Sequence, residues 1–199
     1  MELGGSAFVI GGEGIGKACA VAFAKEGAFG VMVADIDLES AALAAAECRR
    51  ISERPDFRAE VASIDVTCES LFKKAVAQIV MRFGRVDNCV ICAGQGKETS
   101  FADATDFNRF LDVNVKGTFL ATRDVSAAMK LQEPRGNDEM GKRVYSRGAI
   151  AIMGSVSSFL PQLRQIQYTA SKHAVLGIAK NAALDNATWG IRVNCLCPS

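Results

Sequence analysis

The stretch IQYTASKHAVLG, residues 166–177, places a tyrosine four residues before a lysine. Residues four apart share one face of an α-helix, so we expect the phenol of Tyr168 and the ammonium of Lys172 to lie side by side. A free phenol has a pKa of about 10, too high to accept a proton readily at neutral pH. A neighbouring ammonium favours the phenolate and lowers that pKa, so the pair is suited to proton transfer. Such a pair also occurs in helices by chance, and its chemistry requires further residues.

A glycine-rich segment near the N-terminus, GGEGIGKACAVAFAKEGA, follows the apolar run AFVI. A glycine cluster between a strand and a helix lets the backbone approach a pyrophosphate, and the helix N-terminus supplies free N–H groups and a positive dipole. The second apolar run ends in Asp35, 19 residues after Gly16. A carboxylate there can accept hydrogen bonds from both ribose hydroxyls of an adenosine, although Asp is also a common turn former at strand ends. The pattern predicts a dinucleotide site.

The charges of this site favour NAD over NADP. Asp35 and Glu13 would both repel a 2′-phosphate, and the residues after Asp35, IDLE, include no lysine or arginine to neutralise one.

Composition limits the remaining function classes. The chain has 199 residues, 49% of them hydrophobic, which suggests a single domain over residues 1–199 with a sizeable core. Its 23 basic and 22 acidic residues argue against a dedicated nucleic-acid surface. No apolar run reaches the length of a membrane span, about 18 residues, and the first residues do not resemble a secretion signal. We therefore expect a cytoplasmic protein that contacts neither nucleic acid nor membrane.

The seven cysteines predict neither a disulfide framework nor a metal site. Their number is odd and they lie in apolar segments, which is typical of buried free thiols in a reducing compartment. The motifs Cys89-x-x-Cys92 and Cys195-x-Cys197 could suggest a zinc site, but both lie in strand-like runs whose alternate residues face opposite sides. The only histidine, His173, directly follows Lys172 and is expected to be structural or exposed.

Short β-branched runs alternate with longer segments of helical period. Strands are predicted at 7–10, 30–35, 57–65, 86–92, 148–154 and 191–197, and helices at 15–27, 39–53, 68–83, 104–131 and 166–188. Strand–helix alternation predicts a parallel sheet with crossover helices on both faces. The apolar strand runs agree, because a parallel sheet is buried on both sides.

One segment breaks this alternation. Residues 131–148, LQEPRGNDEMGKRVYSRG, are charged, contain Pro134 and lack an apolar period. We predict a long surface loop there, with a lid or a partner site as the functional alternative.

These motifs together resemble the short-chain dehydrogenase/reductase family over about residues 5–199. The Tyr-x-x-x-Lys pair is Tyr168 and Lys172, the family's serine matches Ser155 in MGSVSS, and its asparagine matches Asn114 in VNVKG. The resemblance implies a Rossmann-like doubly wound α/β sheet of strand order 3-2-1-4-5-6. It also implies alcohol/ketone chemistry in which Tyr168 is the acid/base, Lys172 lowers its pKa and holds the nicotinamide ribose, and Ser155 orients the substrate. Asn114 would hold a water that links Lys172 to solvent.

The resemblance also assigns the cofactor contacts. The acid that reaches the adenine matches Asp65 in IDV. The residues expected to bind the cofactor are Gly11, Gly14, Ile15, Gly16, Asp35, Ile36, Asp65, Val66, Cys92, Ala93, Gly94, Tyr168 and Lys172.

Three features depart from the family pattern. The glycine turn is one residue short and has Ile10 where the family has threonine. The segment ICAG, residues 91–94, has Ile91 and Cys92 where the family has two asparagines. The chain stops at NCLCPS, so the family's substrate lid and last strand are expected to be absent. The resemblance further implies a homodimer through the helices at 104–131 and 166–188, without the four-subunit form that uses the last strand.

Three function hypotheses follow. The leading one is an NAD(H)-dependent oxidoreductase acting on a small secondary alcohol or ketone. The second is a nucleotide-binding protein with little catalysis, in a partner or regulatory role, which the three departures favour. The third is an isomerase or dehydratase that uses Tyr168 as acid/base without net redox change.

Overall fold

The structure, a computed structural model, describes residues 4–96, 105–139 and 142–199. The strands of these residues are β1 (Ser6–Ile10), β2 (Gly30–Asp35), β3 (Arg58–Ser63), β4 (Asn88–Ile91), β5 (Arg135–Glu139), β6 (Lys142–Ser146), β7 (Gly148–Met153) and β8 (Ile191–Leu196). The α-helices are α1 (Gly14–Lys25), α2 (Leu38–Ile51), α3 (Glu69–Phe83), α4 (Phe107–Phe110), α5 (Gly117–Leu131) and α6 (Ile166–Ala187).

The central sheet has the strand order β3-β2-β1-β4-β7-β8, and every pair in it is parallel. Because β5 and β6 lie outside this sheet, the order is the predicted 3-2-1-4-5-6, which is confirmed. The predicted bounds of the six strands, and of all helices except the one at 104–131, agree with the structure within two residues.

The strands lie at the centre because they are apolar on both faces. All five residues of β1 are buried, and its alternate side chains point to opposite sides of the sheet. Phe8 and Ile10 pack in the larger core with α3, α5 and α6, whereas Ala7 and Val9 pack in the smaller, alanine-rich core with α1 and α2. The sheet is thus covered by helices on both faces, as a parallel sheet requires.

The predicted helix at 104–131 is only partly correct. Residue 104 lies outside the described residues, α4 begins at Phe107, and a π-helical segment, Leu111–Lys116, separates α4 from α5. Hydrophobic period cannot reveal such a segment, because one widened turn rotates the helix face without changing the composition. The π segment contains Asn114.

The prediction of a loop over residues 131–148 is wrong. Its first residue ends α5, and β5 and β6 form an antiparallel hairpin in which Arg135 pairs with Ser146 and Glu139 with Lys142. The side chain of Arg135 reaches Asp87, with 3.2 Å between Nη1 and Oδ2, and so anchors the hairpin to the start of β4. A two-stranded ladder satisfies its backbone hydrogen bonds without a buried apolar face, so the sequence carries no alternating pattern to reveal it.

No helix in the described ranges is long and apolar enough to cross a membrane.

Packing of α3 against the sheet provides a test of the fold. Phe72 is fully buried in the larger core, whereas Met81 on the same helix is 74% exposed. We expect Phe72→Ala to lower the free energy of unfolding by about 3–5 kcal/mol, through lost burial and a cavity. Met81→Ala, the matched control, should change it by less than about 0.5 kcal/mol. Urea denaturation followed by circular dichroism measures both, and similar losses for the two variants would contradict this packing.

Candidate active site

A groove of about 800 Å³ lies where β1, β2 and β4 end. Parallel strands present their carboxyl ends at one edge of a sheet, which is where ligands bind in open α/β folds. Of the predicted cofactor-binding residues, the groove is lined by Gly11, Gly14, Asp35, Ile36, Asp65, Val66, Cys92, Ala93 and Gly94.

The glycine turn at the start of α1 fits a phosphate group. Gly11 has φ +107° and Gly14 has φ +50°, backbone conformations that side chains disfavour. A Cβ on Gly16 would overlap the carbonyl oxygen of Gly11, so the turn closes tightly against the helix. A Cβ on Gly14, which lines the groove, would meet open space, with no atom beyond its own helix and chain neighbours within 4 Å. The free N–H groups of the α1 N-terminus therefore remain accessible to an anion despite the short turn.

Asp35 links the second strand to the glycine turn. Its Oδ2 accepts a 2.6 Å hydrogen bond from the Gly12 amide, and its Oδ1 accepts a 2.9 Å bond from the Asp37 amide. A carboxylate oxygen has two acceptor positions, so each oxygen can still accept a ribose hydroxyl. Glu13 lies across the same part of the groove, 2.8 Å from the hydroxyl of Ser40. Asp35 is thus both a turn-holding residue and a candidate ligand of the ribose.

Asp65 lies just beyond β3. Its Oδ1 accepts hydrogen bonds from both the amide and the hydroxyl of Thr67, at 2.9 and 2.8 Å. These two hydrogen bonds hold the pKa of Asp65 below its usual value, and the bond from the Thr67 amide has the larger effect. Neither bond uses Oδ2, which leaves that oxygen for an amino group. The neighbouring Val66 packs on Gly117 at the start of α5.

Cys92 occupies the position where the resemblance expects an asparagine. Its amide donates to the Ile10 carbonyl at 2.8 Å, so the backbone still ties β4 to β1. Its Cβ lies 3.2 Å from where a Cβ on Gly11 would be, directly behind the turn. A hydrogen bond from its thiol lowers the pKa of Cys19 to about 7, and the same bond raises the pKa of Cys92.

A second cavity, of about 510 Å³, adjoins the groove and is lined by the predicted catalytic residues Ser155, Tyr168 and Lys172. Ile15 of the glycine turn also lines it. Cys92, Gly94 and Gln95 line both cavities, which together are called the cleft.

Lys172 is 6% exposed, and its Nζ donates a 2.7 Å hydrogen bond to the carbonyl oxygen of Met153. The same Nζ lies 5.5 Å from the centroid of the Tyr168 ring, which confirms that the helix puts the two side chains side by side. Burial lowers the pKa of Lys172 from its usual value, since the ammonium is removed from water. Of its three N–H donors, the Met153 bond uses one.

Ser155 follows β7 and caps a short 3₁₀ turn, Val156–Ser158. Its Oγ accepts a 3.1 Å bond from the Ser157 amide, and its own amide donates to the hydroxyl of Ser158. The accepted bond uses an oxygen lone pair, so the hydroxyl proton remains available for another acceptor. Ser155 is 8% exposed and is fixed by its own turn.

Asn114 is buried below this cleft and joins two elements. Its Oδ1 accepts from the Gln95 amide at 2.7 Å, and its Nδ2 donates to the Gln95 carbonyl and to the hydroxyl of Ser171. The side chain thus fastens the segment after β4 to α6. Its backbone carbonyl accepts from Thr118 at 2.7 Å and has a second lone pair. The predicted water link from Asn114 to Lys172 stays a prediction.

The model of the short chain dehydrogenase family matches residues 6–199 of this chain. This chain belongs to the short-chain dehydrogenase family. It is therefore an oxidoreductase of a fold that binds a nicotinamide cofactor and takes small-molecule substrates.

Relatives and solved structures agree with this assignment. The chain is 52% identical to the short-chain dehydrogenase fogB of Aspergillus ruber and 50% identical to the short-chain dehydrogenase srdC of Neurospora crassa. Both matches cover the whole chain and 75% of the relative. A crystal structure of NAD⁺-bound xylitol dehydrogenase superposes with a TM-score of 0.84 at 30% identity, over 97% of this chain and 69% of the other.

Sequence reasoning missed two residues that complete the site of this short-chain dehydrogenase. Gln95 lines both cavities and carries the backbone bonds to Asn114, and Ser171 supplies the bond to α6. Their positions in the sequence could have revealed them, because Gln95 directly follows the Ala93-Gly94 segment and Ser171 directly precedes Lys172.

Other candidates lie outside this cleft. His173 is exposed on α6, where its ring lies 2.9 Å from the Thr169 carbonyl of the same helix, away from the two cavities. Within 4–96, 105–139 and 142–199, no group of three or more His, Cys, Asp or Glu side chains is arranged to hold a metal ion.

The buried cation gives the short-chain dehydrogenase a pH-dependent contribution to stability. Because burial lowers the pKa of Lys172 in the folded state, the unfolded chain binds its proton more tightly. This contribution therefore rises with pH between the folded pKa and about 10.5. Lys172→Met removes the buried charge. We expect the urea midpoint of the wild type to rise relative to that of Lys172→Met between pH 7 and pH 10.

Lys180→Met is the matched control, since Lys180 is exposed on the same helix. If the difference between the urea midpoints of the wild type and Lys172→Met stays constant or moves the other way, burial does not disfavour this ammonium.

Proposed function

We propose that this chain is a single-domain, NAD(H)-dependent oxidoreductase that interconverts a secondary alcohol and a ketone. One observation carries the proposal: Ser155, Tyr168 and Lys172 line one cavity, and that cavity shares Cys92, Gly94 and Gln95 with the groove beside the glycine turn. A hydride donor or acceptor bound in the groove would therefore lie next to the cavity whose side chains can donate and accept a proton.

In this proposal Tyr168 exchanges a proton with the substrate oxygen, as the phenol during ketone reduction and as the phenolate during alcohol oxidation. A nicotinamide dinucleotide bound in the groove would supply or accept the hydride. The Lys172 ammonium stabilises negative charge on the Tyr168 oxygen and has two further N–H donors for ribose hydroxyls. The Ser155 hydroxyl donates to the substrate oxygen, because its own turn already supplies the bond that it accepts.

Asn114 acts as a positioning residue. Its bonds to Gln95 and Ser171 hold the segment after β4 against the helix that carries Tyr168 and Lys172. A water held by Asn114 would complete a proton path from Lys172 to solvent.

We further propose a cytoplasmic homodimer. The helices α5 and α6, which correspond to the predicted pairing segments, carry the exposed apolar side chains Phe119, Leu131 and Leu184. All seven cysteines are unpaired, as is typical of a reducing compartment.

The role of Tyr168 is tested by removing one oxygen atom. We expect Tyr168→Phe to lower kcat/KM for ketone reduction by about 10²- to 10⁴-fold, because the proton donor is lost, while NADH affinity stays near the wild-type value. Hydride transfer is followed by NADH absorbance with a panel of ketones, and affinity by NADH fluorescence. The matched control is Tyr145→Phe, at the chain's other tyrosine, which lies on the hairpin.

The same measurements separate the other hypotheses. Turnover that is unchanged in Tyr168→Phe would overturn the assigned role. NADH binding without turnover on any ketone would favour a cofactor-binding partner or regulatory protein. Product formed without net change in NADH would favour an isomerase or dehydratase.

The preference for NAD rests on the acidic edge of the groove. Asp35 and Glu13 both line it, and the exposed residue that follows Asp35 is the uncharged Ile36. A 2′-phosphate bound beside Asp35 would face these carboxylates. That the similar xylitol dehydrogenase was solved with NAD⁺ supports the same preference.

Neutralising this edge should shift the cofactor preference. We expect the double variant Glu13→Gln/Asp35→Asn to raise the ratio of kcat/KM for NADPH over NADH about tenfold, which corresponds to about 1.4 kcal/mol of removed repulsion. The absolute rate with NADH should fall, since Asp35 also holds the glycine turn. Asp56→Asn, which removes one carboxylate outside the residues that line the groove, is the control and should leave the ratio unchanged. An unchanged ratio in the double variant would refute the electrostatic explanation.

A further inference from the structure

Two thiols lie close together at the end of β8. The Sγ atoms of Cys195 and Cys197 are 3.7 Å apart. Alternate residues of a strand point to the same side, which explains why the Cys-x-Cys spacing brings these two side chains together. Both residues are half-buried, so a small molecule dissolved in water can reach them.

Gly154 provides the room for this pair. A Cβ at Gly154 would lie only 2.7 Å from Sγ of Cys195 and 2.8 Å from Sγ of Cys197. Any side chain at this position would therefore displace both thiols. Gly154 directly precedes Ser155, the residue proposed to orient the substrate.

Backbone hydrogen bonds connect the dithiol to the Ser155 segment on both sides. The Gly154 amide donates to the Leu196 carbonyl at 2.7 Å, and the Val156 amide donates to the Pro198 carbonyl at 2.8 Å. The first acceptor lies between the two cysteines and the second directly follows them. A change in the backbone of residues 195–198 must therefore act on Ser155.

Closing a bond between the two sulfurs moves both side chains and favours a shorter backbone. The Sγ atoms would have to approach from 3.7 Å to about 2.05 Å. Alternate Cα atoms of an extended strand are about 6.6 Å apart, near the upper end of the range that a disulfide spans. The commoner separation, about 5.5–6 Å, would shorten the chain locally at the point where β8 ends at Leu196.

We propose that Cys195 and Cys197 are an oxidative modification site, at which a hydroperoxide converts the dithiol into a reversible disulfide that displaces the Ser155 segment. In the first step one thiol attacks hydrogen peroxide and becomes a sulfenic acid, and one water leaves. In the second step the other thiol attacks the sulfenic sulfur, the S–S bond forms, and a second water leaves. Two thiols are thus oxidised by two electrons while one peroxide is reduced to two waters.

The surroundings of the pair affect the reactivity of one thiol. Burial, and after it the neighbouring Cys197, raises the pKa of Cys195 to about 11, which disfavours the thiolate that attacks a peroxide. Reduction by a dithiol such as dithiothreitol restores the starting state.

The bond itself is tested on the full chain without any activity assay. Purified protein is treated with hydrogen peroxide, remaining thiols are alkylated, and the tryptic peptide that starts after Arg192 is analysed by mass spectrometry. We expect this peptide to lose two hydrogens, about 2 Da, and to regain them with dithiothreitol. Cys195→Ser and Cys197→Ser should each abolish this change, whereas Cys68→Ser, at the start of α3, should leave it intact.

The wild-type peptide decides the proposal even if a variant fails to fold. A peptide that keeps both thiols, a bridge between Cys19 and Cys92 instead, or irreversible oxidation of a single sulfur would each overturn it.

The consequence for catalysis rests on the proposed function and is measured separately. We expect the oxidised wild type to lose at least about fivefold in kcat, and to recover with dithiothreitol, because the Ser155 segment is displaced. Cys68→Ser should behave like the wild type, and the two variants of the pair should resist the loss. A mapped disulfide with unchanged kcat would overturn the coupling to Ser155. Absence of all turnover before oxidation would instead count against the proposed function and leave the disulfide result standing.

Discussion

The cleft depends on a buried ammonium. Removing a cation from water is unfavourable unless hydrogen bonds replace those it loses, and the carbonyl of Met153 supplies one to Lys172. That carbonyl belongs to the last residue of β7. The position of the cation therefore requires the strand end, α6 and the segment after β4 to meet in a fixed arrangement. Asn114 provides that arrangement by bonding to Gln95 on one side and Ser171 on the other.

Three cysteine side chains lie near this ammonium. Cys92, Cys195 and Cys197 all lie close enough to Lys172 to influence its pKa. Thiols are weak hydrogen-bonding groups, so the side chain of Cys92 cannot make the bonds of an amide, whereas the backbone bonds remain. The amides of Cys92 and Ala93 both donate to the Ile10 carbonyl, which keeps β4 joined to β1 beside the glycine turn. The departure from the family motif thus preserves the path of the chain while it changes the chemistry of the wall.

Much of the fold could be predicted because its patterns are local and repeated. The apolar strand runs and the glycine turn between β1 and α1 indicate a parallel sheet covered on both faces, and the strand order followed from the resemblance. The hairpin β5–β6 could not be predicted, since its residues show no apolar period and the contact between Arg135 and Asp87 joins positions far apart in the chain. The π segment around Asn114 was equally hidden, because one widened turn leaves the composition of a helix unchanged.

The sequence alone determined which groups can do chemistry and which lie next to each other along a helix. The spacing of Tyr168 and Lys172 placed an ammonium beside a phenol, because helical geometry is the same in every protein. Only the tertiary structure decided what these groups face. Ser155, the glycine turn and the dithiol of Cys195 and Cys197 come from segments far apart in the chain, and they meet because parallel strands end at one edge of the sheet. The distances across that edge arise from packing between elements, which no local pattern encodes.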